Sequence, residues 1–374
     1  MFGPVRLFFS LRSHPDLGVL AAVVAVSFLF AATPFVIPAV AADYGVTIGR
    51  SGLLSSAQVG GFALAAFVAG RRLRTHRKYL VGGSLAAFVL NLLSAIAPSF
   101  GALLVLRVLA GAAAGLLVWL AWSNAMRTEG ALRNVAAAGP LTVFLSVPIL
   151  AWIASEFGSS GVYLAIAVVS LVPAWLPAEF AGYRRERQHV SPSRSNVVLV
   201  LALGMGTMAG SALFVYGAAI GVNTGLSPFV VSLGYSGNAL AGLTAARRLA
   251  KDRPGSVWIF GTALCAALVA FGDSPALFLI GITMWGFCFW MSTPTILRSI
   301  AVWSLAPDER VGDAQSSMAV GRAIGPAIGA ALVTGVSYDV AGTFAVVGLV
   351  VTGLVVLSVQ VYRRGRVAPA AAGG

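Results

Sequence analysis

Twelve apolar stretches, each about 20 residues long, follow one another along this chain. A helix of about 20 apolar residues is long enough to cross the hydrocarbon core of a bilayer. Hydrophobic residues make up 58% of the 374 residues and charged residues only 10%, so a water-soluble fold would lack polar surface. The sequence therefore predicts an all-α integral membrane protein with twelve spans, at 17–41, 52–70, 79–98, 101–123, 135–155, 161–178, 196–220, 228–246, 255–271, 275–297, 313–333 and 342–362.

Landmarks of the first half of the chain recur in the second half at a nearly constant spacing. The pairs are Arg71 and Arg247, Arg133 and Arg310, and Pro148 and Pro326, with separations of 176, 177 and 178 residues. Such spacing indicates an internal duplication, and parallel repeats build the two halves of one class of transport proteins. We expect an N-terminal six-helix bundle over 1–178, a cytoplasmic linker over 179–195, a C-terminal six-helix bundle over 196–362 and a disordered cytoplasmic tail over 363–374.

The basic residues are concentrated on one side of the predicted spans. With the N-terminus inside, 22 of the 25 Lys and Arg residues fall in segments on that same side. Among the basic residues in loops, Arg50 alone falls on the other side. Loops rich in Lys and Arg lie on the cytoplasmic side of a membrane. We therefore predict a multi-pass protein of the plasma membrane with both termini in the cytoplasm. The net charge of +13 follows from this bias, so we expect no nucleic-acid partner.

Only two charged residues lie well inside predicted spans, namely Arg107 in the fourth and Arg322 in the eleventh. Because a central arginine costs roughly 2.5 to 3.5 kcal/mol, each should face protein or a water-filled cavity. We place both in a central substrate cavity. The alternative for Arg107 is a structural role between helices, and the alternative for Arg322 is a side chain that reaches toward the cytoplasm.

Polar and aromatic residues within other spans are further candidates for an amphipathic cavity. Those that we assign to the substrate site are Thr33, Tyr216, Asn238 and Trp285. The alternative for the aromatic members is a role as anchors at the membrane interface, where Trp and Tyr are common.

Glycines follow Arg107 at positions 111 and 115, which gives the fourth span a flat face for close helix contact. This stretch resembles the fourth-helix motif of the major facilitator superfamily, in which an Arg is followed four residues later by Gly. The twelve spans and their six-plus-six repeat are similar to that family over the whole chain. Segment 70–78 stands where the family has its loop Gly-x-x-x-Asp-Arg-x-Gly-Arg, with Arg74 in place of Asp and Arg77 in place of Gly.

A second motif lies in the eleventh span, where Gly325 and Pro326 stand within a run of glycines at 321, 325 and 329. It is similar to the Gly-Pro-x-x-Gly motif that exporters of the family carry in the fifth helix, whereas the fifth span here offers Pro148. Spaced glycines form a packing groove, and a proline removes a backbone hydrogen bond and lets a helix bend. We assign gating or helix packing to Gly70, Arg71, Gly111, Gly115, Pro148, Arg247, Gly325 and Pro326.

The predicted spans lack the residues needed for a buried proton relay, ATP hydrolysis, metal binding or catalysis. No Asp or Glu lies in the middle of a predicted span, the three histidines lie outside the spans, and no Gly-Lys-Ser/Thr loop occurs. No metal-ligand cluster or nucleophile with a nearby His lies within the spans, so we expect no enzyme activity, no metal and no cofactor. Transport energy must then come from a gradient, with protons as the candidate coupling ion.

The resemblance implies a secondary active transporter that moves a small molecule by alternating access, with efflux of amphipathic compounds as the leading hypothesis. Its partners would be the substrate and the lipid bilayer, and we expect a monomer. Two alternatives remain open. One is uptake or exchange of a small anion bound by Arg107 and Arg322, and the other is a non-transporting membrane receptor or scaffold of the same fold.

Overall fold

The computed structural model of the chain describes residues 17–125, 129–180, 193–247, 254–305 and 307–371. Within these residues the regular structure consists of helices alone, joined by short loops. In chain order the helices are α1 Leu17–Ala31, α2 Thr33–Tyr44, α3 Ile48–Ser51, α4 Leu53–Arg72, α5 Arg77–Ala95, α6 Phe100–Ala125, α7 Glu129–Trp175, α8 Arg194–Phe214, α9 Gly217–Asn223, α10 Pro228–Arg247, α11 Gly255–Phe271, α12 Pro275–Val302, α13 Pro307–Gly335 and α14 Tyr338–Ala371.

The helices have the length and apolar character of membrane spans. Among the described residues, eight helical segments are long and apolar enough to cross a bilayer, and the pair α1 and α2, bent by 50°, makes a ninth. The predicted spans at 228–246 and 255–271 coincide with α10 and α11. On either side of Gly158, α7 contains the predicted span at 135–155 and most of the one at 161–178. The predicted all-α membrane fold is therefore confirmed, and each predicted span coincides with helical structure.

Two of the breaks in the long apolar segments have a clear local cause. Pro34 stands in the first turn of α2, where its missing N–H costs no helical hydrogen bond and favours a new start. Gly158 adopts a φ of 63° inside α7, a conformation that glycine reaches without steric cost. The next residue, Ser159, donates hydrogen bonds from its amide at 2.9 Å and from its hydroxyl at 2.6 Å to the carboxylate of Asp43. Asp43 thereby caps the second part of α7.

The packing of residues 17–180, here the first half, has a counterpart for each major contact in residues 193–371, the second half. The contacts of α4 with α6, α1 with α7, and α5 with α7 correspond to those of α10 with α12, α8 with α13, and α11 with α14. Between the halves, α4 packs on α13 and α7 packs on α10. This correspondence is what a duplicated chain with an approximate twofold axis produces.

Glycines bring the backbones of neighbouring helices together at the closest contacts. Gly111 and Gly115 of α6 lie directly against backbone carbonyls of α4, and a Cβ at either position would overlap them. Gly321, Gly325 and Gly329 of α13 lie in the same way against backbone carbonyls of α8. Small residues allow such close approach of two helices.

The disordered tail over 363–374 stays a prediction, and the described part of helix α14 extends to Ala371. Arg363 ties this helix to other parts of the second half. Its Nη2 donates to Asn196 Oδ1 at 2.9 Å, and its guanidinium lies 3.8 Å from the ring centroid of Trp303. Beyond Arg363 the sequence is rich in alanine, which has the highest helix propensity. Residues 372–374, and residues 181–192 of the predicted linker, lie outside the described part.

Candidate functional site

Two surfaces of the helix bundle serve as reference points. The basic face is the end that contains the loop 73–76 and the start of α5, where Arg71, Arg72, Arg74, Arg77 and Lys78 are exposed. The opposite face contains the loops 45–47 and 96–99. Helices cross from one face to the other, so a side chain in the middle of a helix lies far from both.

Arg107 lies at the centre of a buried polar cluster inside the first half. Its side chain is 1% exposed, and its Nη2 donates to Asn91 Oδ1 at 2.9 Å and to Ser94 Oγ at 2.6 Å. Its Nη1 is 3.4 Å from Gln58 Oε1, a long hydrogen bond, and its guanidinium stacks 4.5 Å from the ring centroid of Tyr163. The cluster thus joins α4, α5, α6 and α7 around one cation that has no carboxylate partner among the described residues.

A small cavity of about 20 Å³ adjoins Arg107, and Thr33, Ser55, Gln58 and Tyr163 are among its lining residues. Arg107 Nε and the Tyr163 hydroxyl have no hydrogen-bond partner in the described structure. A space of this size holds about one water molecule, which could satisfy such polar atoms. Thr33 and Arg107 therefore line the same small cavity, which lies within the first half rather than between the halves.

At the position equivalent to Arg107, the second half has an uncharged residue. Gly286 of α12 lies against the backbone of Asn238, just as Gly111 of α6 lies against the backbone of Gln58. Four residues before Gly286 stands Ile282, where the first half has Arg107. Asn238 Nδ2 donates to the Ile282 carbonyl oxygen at 2.7 Å. Asn238 is therefore engaged in helix contact, and the two halves differ in charge at equivalent positions.

Arg322 has a very different environment from Arg107. Its side chain is exposed in the described structure, and its guanidinium lies 5.7 Å from the ring centroid of Phe289 on α12. No hydrogen bond or ion pair of the Arg322 side chain is formed with the described residues. Pro326 follows it by four residues and has no N–H, so the Arg322 carbonyl also lacks its usual helical donor. Arg322 is thus a cation available to a ligand.

Aromatic rings from both halves meet near the middle of the bundle. The ring centroids of Phe35 on α2 and Tyr235 are 5.7 Å apart. Those of Tyr235 and Phe214 are 5.2 Å apart, and those of Phe214 and Trp285 are 5.4 Å apart. Tyr235 also donates a hydrogen bond to the Phe214 carbonyl at 2.9 Å. We call these four residues the aromatic cluster. It includes Trp285, a predicted site residue, which is buried and contacts Phe214 within the second half, while Phe35 and Tyr235 form the contact between the halves.

Hydrogen bonds join the halves toward the opposite face. The Tyr216 hydroxyl is 3.2 Å from the Gly49 carbonyl of the first half and 3.1 Å from the Pro326 carbonyl of its own half. Thr47 and Thr334 place their hydroxyl oxygens 3.3 Å apart. Tyr216 is fully buried, so in this state it belongs to a closed contact rather than to an open cavity.

The remaining predicted gating residues are spread over the molecule. Gly70 packs near the Trp119 ring, and the Arg71 guanidinium lies 3.4 Å from the ring centroid of Phe67. Pro148 lies within α7, half buried, and Arg247 ends α10 with its side chain outside the described atoms. The described contacts of Gly70 and Arg71 are thus with Trp119 and Phe67, not with Gly325 or Pro326.

Sequence reasoning missed Gln58, Ser94 and Tyr163 as partners of Arg107. The available signal was their polarity inside apolar spans, since a buried cation requires polar partners. Across the described ranges, no group of three or more His, Cys, Asp or Glu residues is arranged to hold a metal ion.

Comparisons with known proteins agree with this arrangement. A relative from Streptomyces lividans, named "Chloramphenicol resistance protein", is 29% identical over 328 residues, which cover 79% of this chain and 82% of the relative. A family model of membrane transporters, described as "Major Facilitator Superfamily", matches residues 19–330. That match spans most of the chain. The chain therefore belongs to the Major Facilitator Superfamily, a family of membrane transporters and not of enzymes.

Proposed function

We propose that this transporter exports small amphipathic compounds from the cell by secondary active transport. In this proposal residues 1–178 and 196–362 form two six-helix bundles that rock against each other, and the basic face lies in the cytoplasm. The observation that carries the proposal is the contact pattern between the halves, in which α4 with α13 and α7 with α10 form two equivalent seams. Two such seams allow access to alternate between the two faces.

The chemistry of the seam supports an uncharged aromatic or amphipathic substrate. The aromatic cluster contributes rings from both halves, and rings of this kind bind apolar compounds while Tyr and Trp retain a polar group. The cluster is closed in this state because Phe35 and Tyr235 are packed together. Separation of the halves would expose it to a substrate. The name of the Streptomyces lividans relative makes chloramphenicol, a compound of this class, the first candidate substrate.

Accumulation of radiolabelled chloramphenicol in a susceptible bacterial host tests this proposal. Cells that express the protein should accumulate less compound than cells that express Trp285→Ala, because the variant loses a ring of the aromatic cluster. Trp175→Ala is the matched control, since Trp175 is 78% exposed at the end of α7 and should leave efflux unchanged. Equal accumulation with and without the protein, for chloramphenicol and for other amphipathic compounds, would favour the alternative that the protein is a non-transporting receptor or scaffold.

The energy source is tested in the same cells. A protonophore that collapses the proton gradient should raise accumulation to the level of cells without the protein, if protons are the coupling ion. Efflux that persists under the protonophore and stops when the sodium gradient is removed would exclude proton coupling.

A second candidate function, transport of a small anion, is favoured by Arg322 alone. Its side chain is exposed and forms no hydrogen bond or ion pair with the described residues, whereas Arg107 is engaged by three polar side chains. In proteoliposomes, Arg322→Gln should then reduce anion flux at least as strongly as it affects chloramphenicol flux. If Arg322→Gln leaves anion flux unchanged while Arg107→Ala stops all transport, the anion function loses its support.

A further inference from the structure

An apolar groove of about 420 Å³ lies on the surface of the first half, between α4, α5 and α6. Apolar residues alone line it, and small ones form much of its wall, including Ala69, Gly82, Ala86 and Ala112. Its size falls within the roughly 300–1,000 Å³ of typical ligand sites. Gly82 and Ala86 are exposed, so the groove opens outward from the bundle, where a membrane protein meets lipid.

The groove runs from the middle of the bundle to the basic face. Leu109 and Leu90 line its inner end, and Leu73 lines the end that reaches the loop 73–76. In and beside the loop at that end, here the mouth of the groove, are five exposed cations, namely Arg71, Arg72, Arg74, Arg77 and Lys78. Segment 70–78 contains no acidic residue, and none of these cations forms an ion pair within the described structure.

We propose that this groove binds an anionic phospholipid from the leaflet at the basic face, with one acyl chain in the groove and the headgroup against segment 71–78. The apolar wall buries the chain, and the cations at the mouth complement the negative charge of the headgroup. A zwitterionic lipid offers the same chain without net charge, and a free phosphate offers charge without the chain. The proposed site requires both an acyl chain and a negatively charged headgroup. It depends on the membrane location of the protein and is independent of the transported compound.

Thermal unfolding of the full-length protein in neutral detergent tests the site. Dioleoylphosphatidylglycerol should raise the unfolding temperature in a saturable manner, and more than dioleoylphosphatidylcholine, which has identical acyl chains. Inorganic phosphate should cause no comparable rise. Equal effects of the two lipids, or an equal effect of phosphate, would overturn the proposal.

Two kinds of variant assign the effect to the groove and to its mouth. Gly82→Leu fills the groove, and a Cβ at Gly82 meets no atom within 4 Å, so the fold should be retained. It should weaken phosphatidylglycerol binding about tenfold or more, the equivalent of about two methylene groups left unburied. Gly101→Leu is the control, because a Cβ at Gly101 also meets nothing within 4 Å but lies near the opposite face. A Gly82→Leu protein that binds the lipid as well as Gly101→Leu would exclude the groove.

The charge at the mouth is tested without changing the groove. Arg74→Gln combined with Arg77→Gln removes two exposed cations and should abolish the preference for phosphatidylglycerol over phosphatidylcholine, while the response to phosphatidylcholine stays the same. A double variant that keeps the full preference would contradict the role of the headgroup contact.

Discussion

Arg107 is a cation whose burial is made possible by neutral polar side chains from neighbouring helices. We predict that Arg107→Ala lowers the thermal stability of the protein, because it leaves Asn91, Ser94 and Gln58 with unsatisfied polar groups in the interior. Each such group costs about 1–3 kcal/mol. Arg107→Lys should recover only part of the loss, since an ammonium group cannot bridge several helices and stack on Tyr163 as a guanidinium does.

Arg322→Ala is the matched control for that prediction. It removes the same charge from another span, yet it removes no hydrogen bond to the described residues, so the unfolding temperature should change little. Both variants are measured in the same detergent. Equal destabilisation would contradict the proposed difference between Arg107, which is hydrogen-bonded in the interior, and Arg322, which forms no hydrogen bond with the described residues.

At the scale of single residues, the sequence predicts which charges lie inside the membrane but not what holds them. Arg107 and Arg322 stand out because charge is rare within apolar spans. The partners Gln58 and Ser94 could not be inferred, since the direction of a polar side chain depends on how four helices are rotated against one another. The packing of the helices sets that rotation, so it can be determined only from the three-dimensional structure.

Helix contacts in this molecule depend on glycines at a few positions. We predict that Gly325→Ala destabilises the protein by about 1–3 kcal/mol, the usual cost of overpacking a close contact. A Cβ at this position would meet the Met208 carbonyl and the Ser211 hydroxyl, and the Met208 carbonyl is backbone that cannot easily move. Thermal unfolding measures the change.

Gly312→Ala provides the comparison on the same helix. A Cβ at Gly312 meets nothing within 4 Å, so the substitution should be neutral or slightly stabilising, because alanine favours helix more than glycine does. If Gly312→Ala lowers the unfolding temperature as much as Gly325→Ala, the contact between α8 and α13 does not explain the effect.

At the scale of helices, apolar length predicts the spans well because a bilayer imposes a fixed minimum length. The ends and breaks are harder to infer. The break at Gly158 depends on Asp43, which is 115 residues earlier in the chain and caps the following helical segment. The contacts of Arg363 on α14 with Asn196 and Trp303 likewise join residues that are distant in sequence.

The whole molecule is held closed at the opposite face by contacts between its halves. We predict that Tyr216→Phe weakens this closure by about 0.5–1.5 kcal/mol, since it removes one hydrogen bond but keeps the ring. Hydrogen exchange of residues 46–52 should then become faster. Tyr235→Phe is the control, because the Tyr235 hydroxyl donates to Phe214 within the second half. Equal exchange in the two variants would contradict a role for Tyr216 in closure.

The repeat in the sequence predicts that equivalent helices occupy equivalent places, and the contact pattern follows that expectation. Arg71 and Arg247 mark the repeat because they lie near the ends of α4 and α10 as described, and these two helices take corresponding positions. The chemistry of the halves could not be inferred from the repeat. Duplication leaves helix positions alike while individual residues diverge, as Arg107 and Ile282 do.

The central claim is that the halves must separate at the opposite face for a compound to cross the membrane. Thr47 and Thr334 test it directly, since their hydroxyl oxygens lie 3.3 Å apart across the seam, close enough for a disulfide after replacement by cysteine. The measurement is chloramphenicol flux in proteoliposomes that contain Thr47→Cys/Thr334→Cys, in a background with Cys265 and Cys288 replaced by alanine. The account predicts no flux after oxidation and full recovery after reduction, with the single variant Thr47→Cys unaffected. Equal flux in the oxidised and reduced double variant would contradict it.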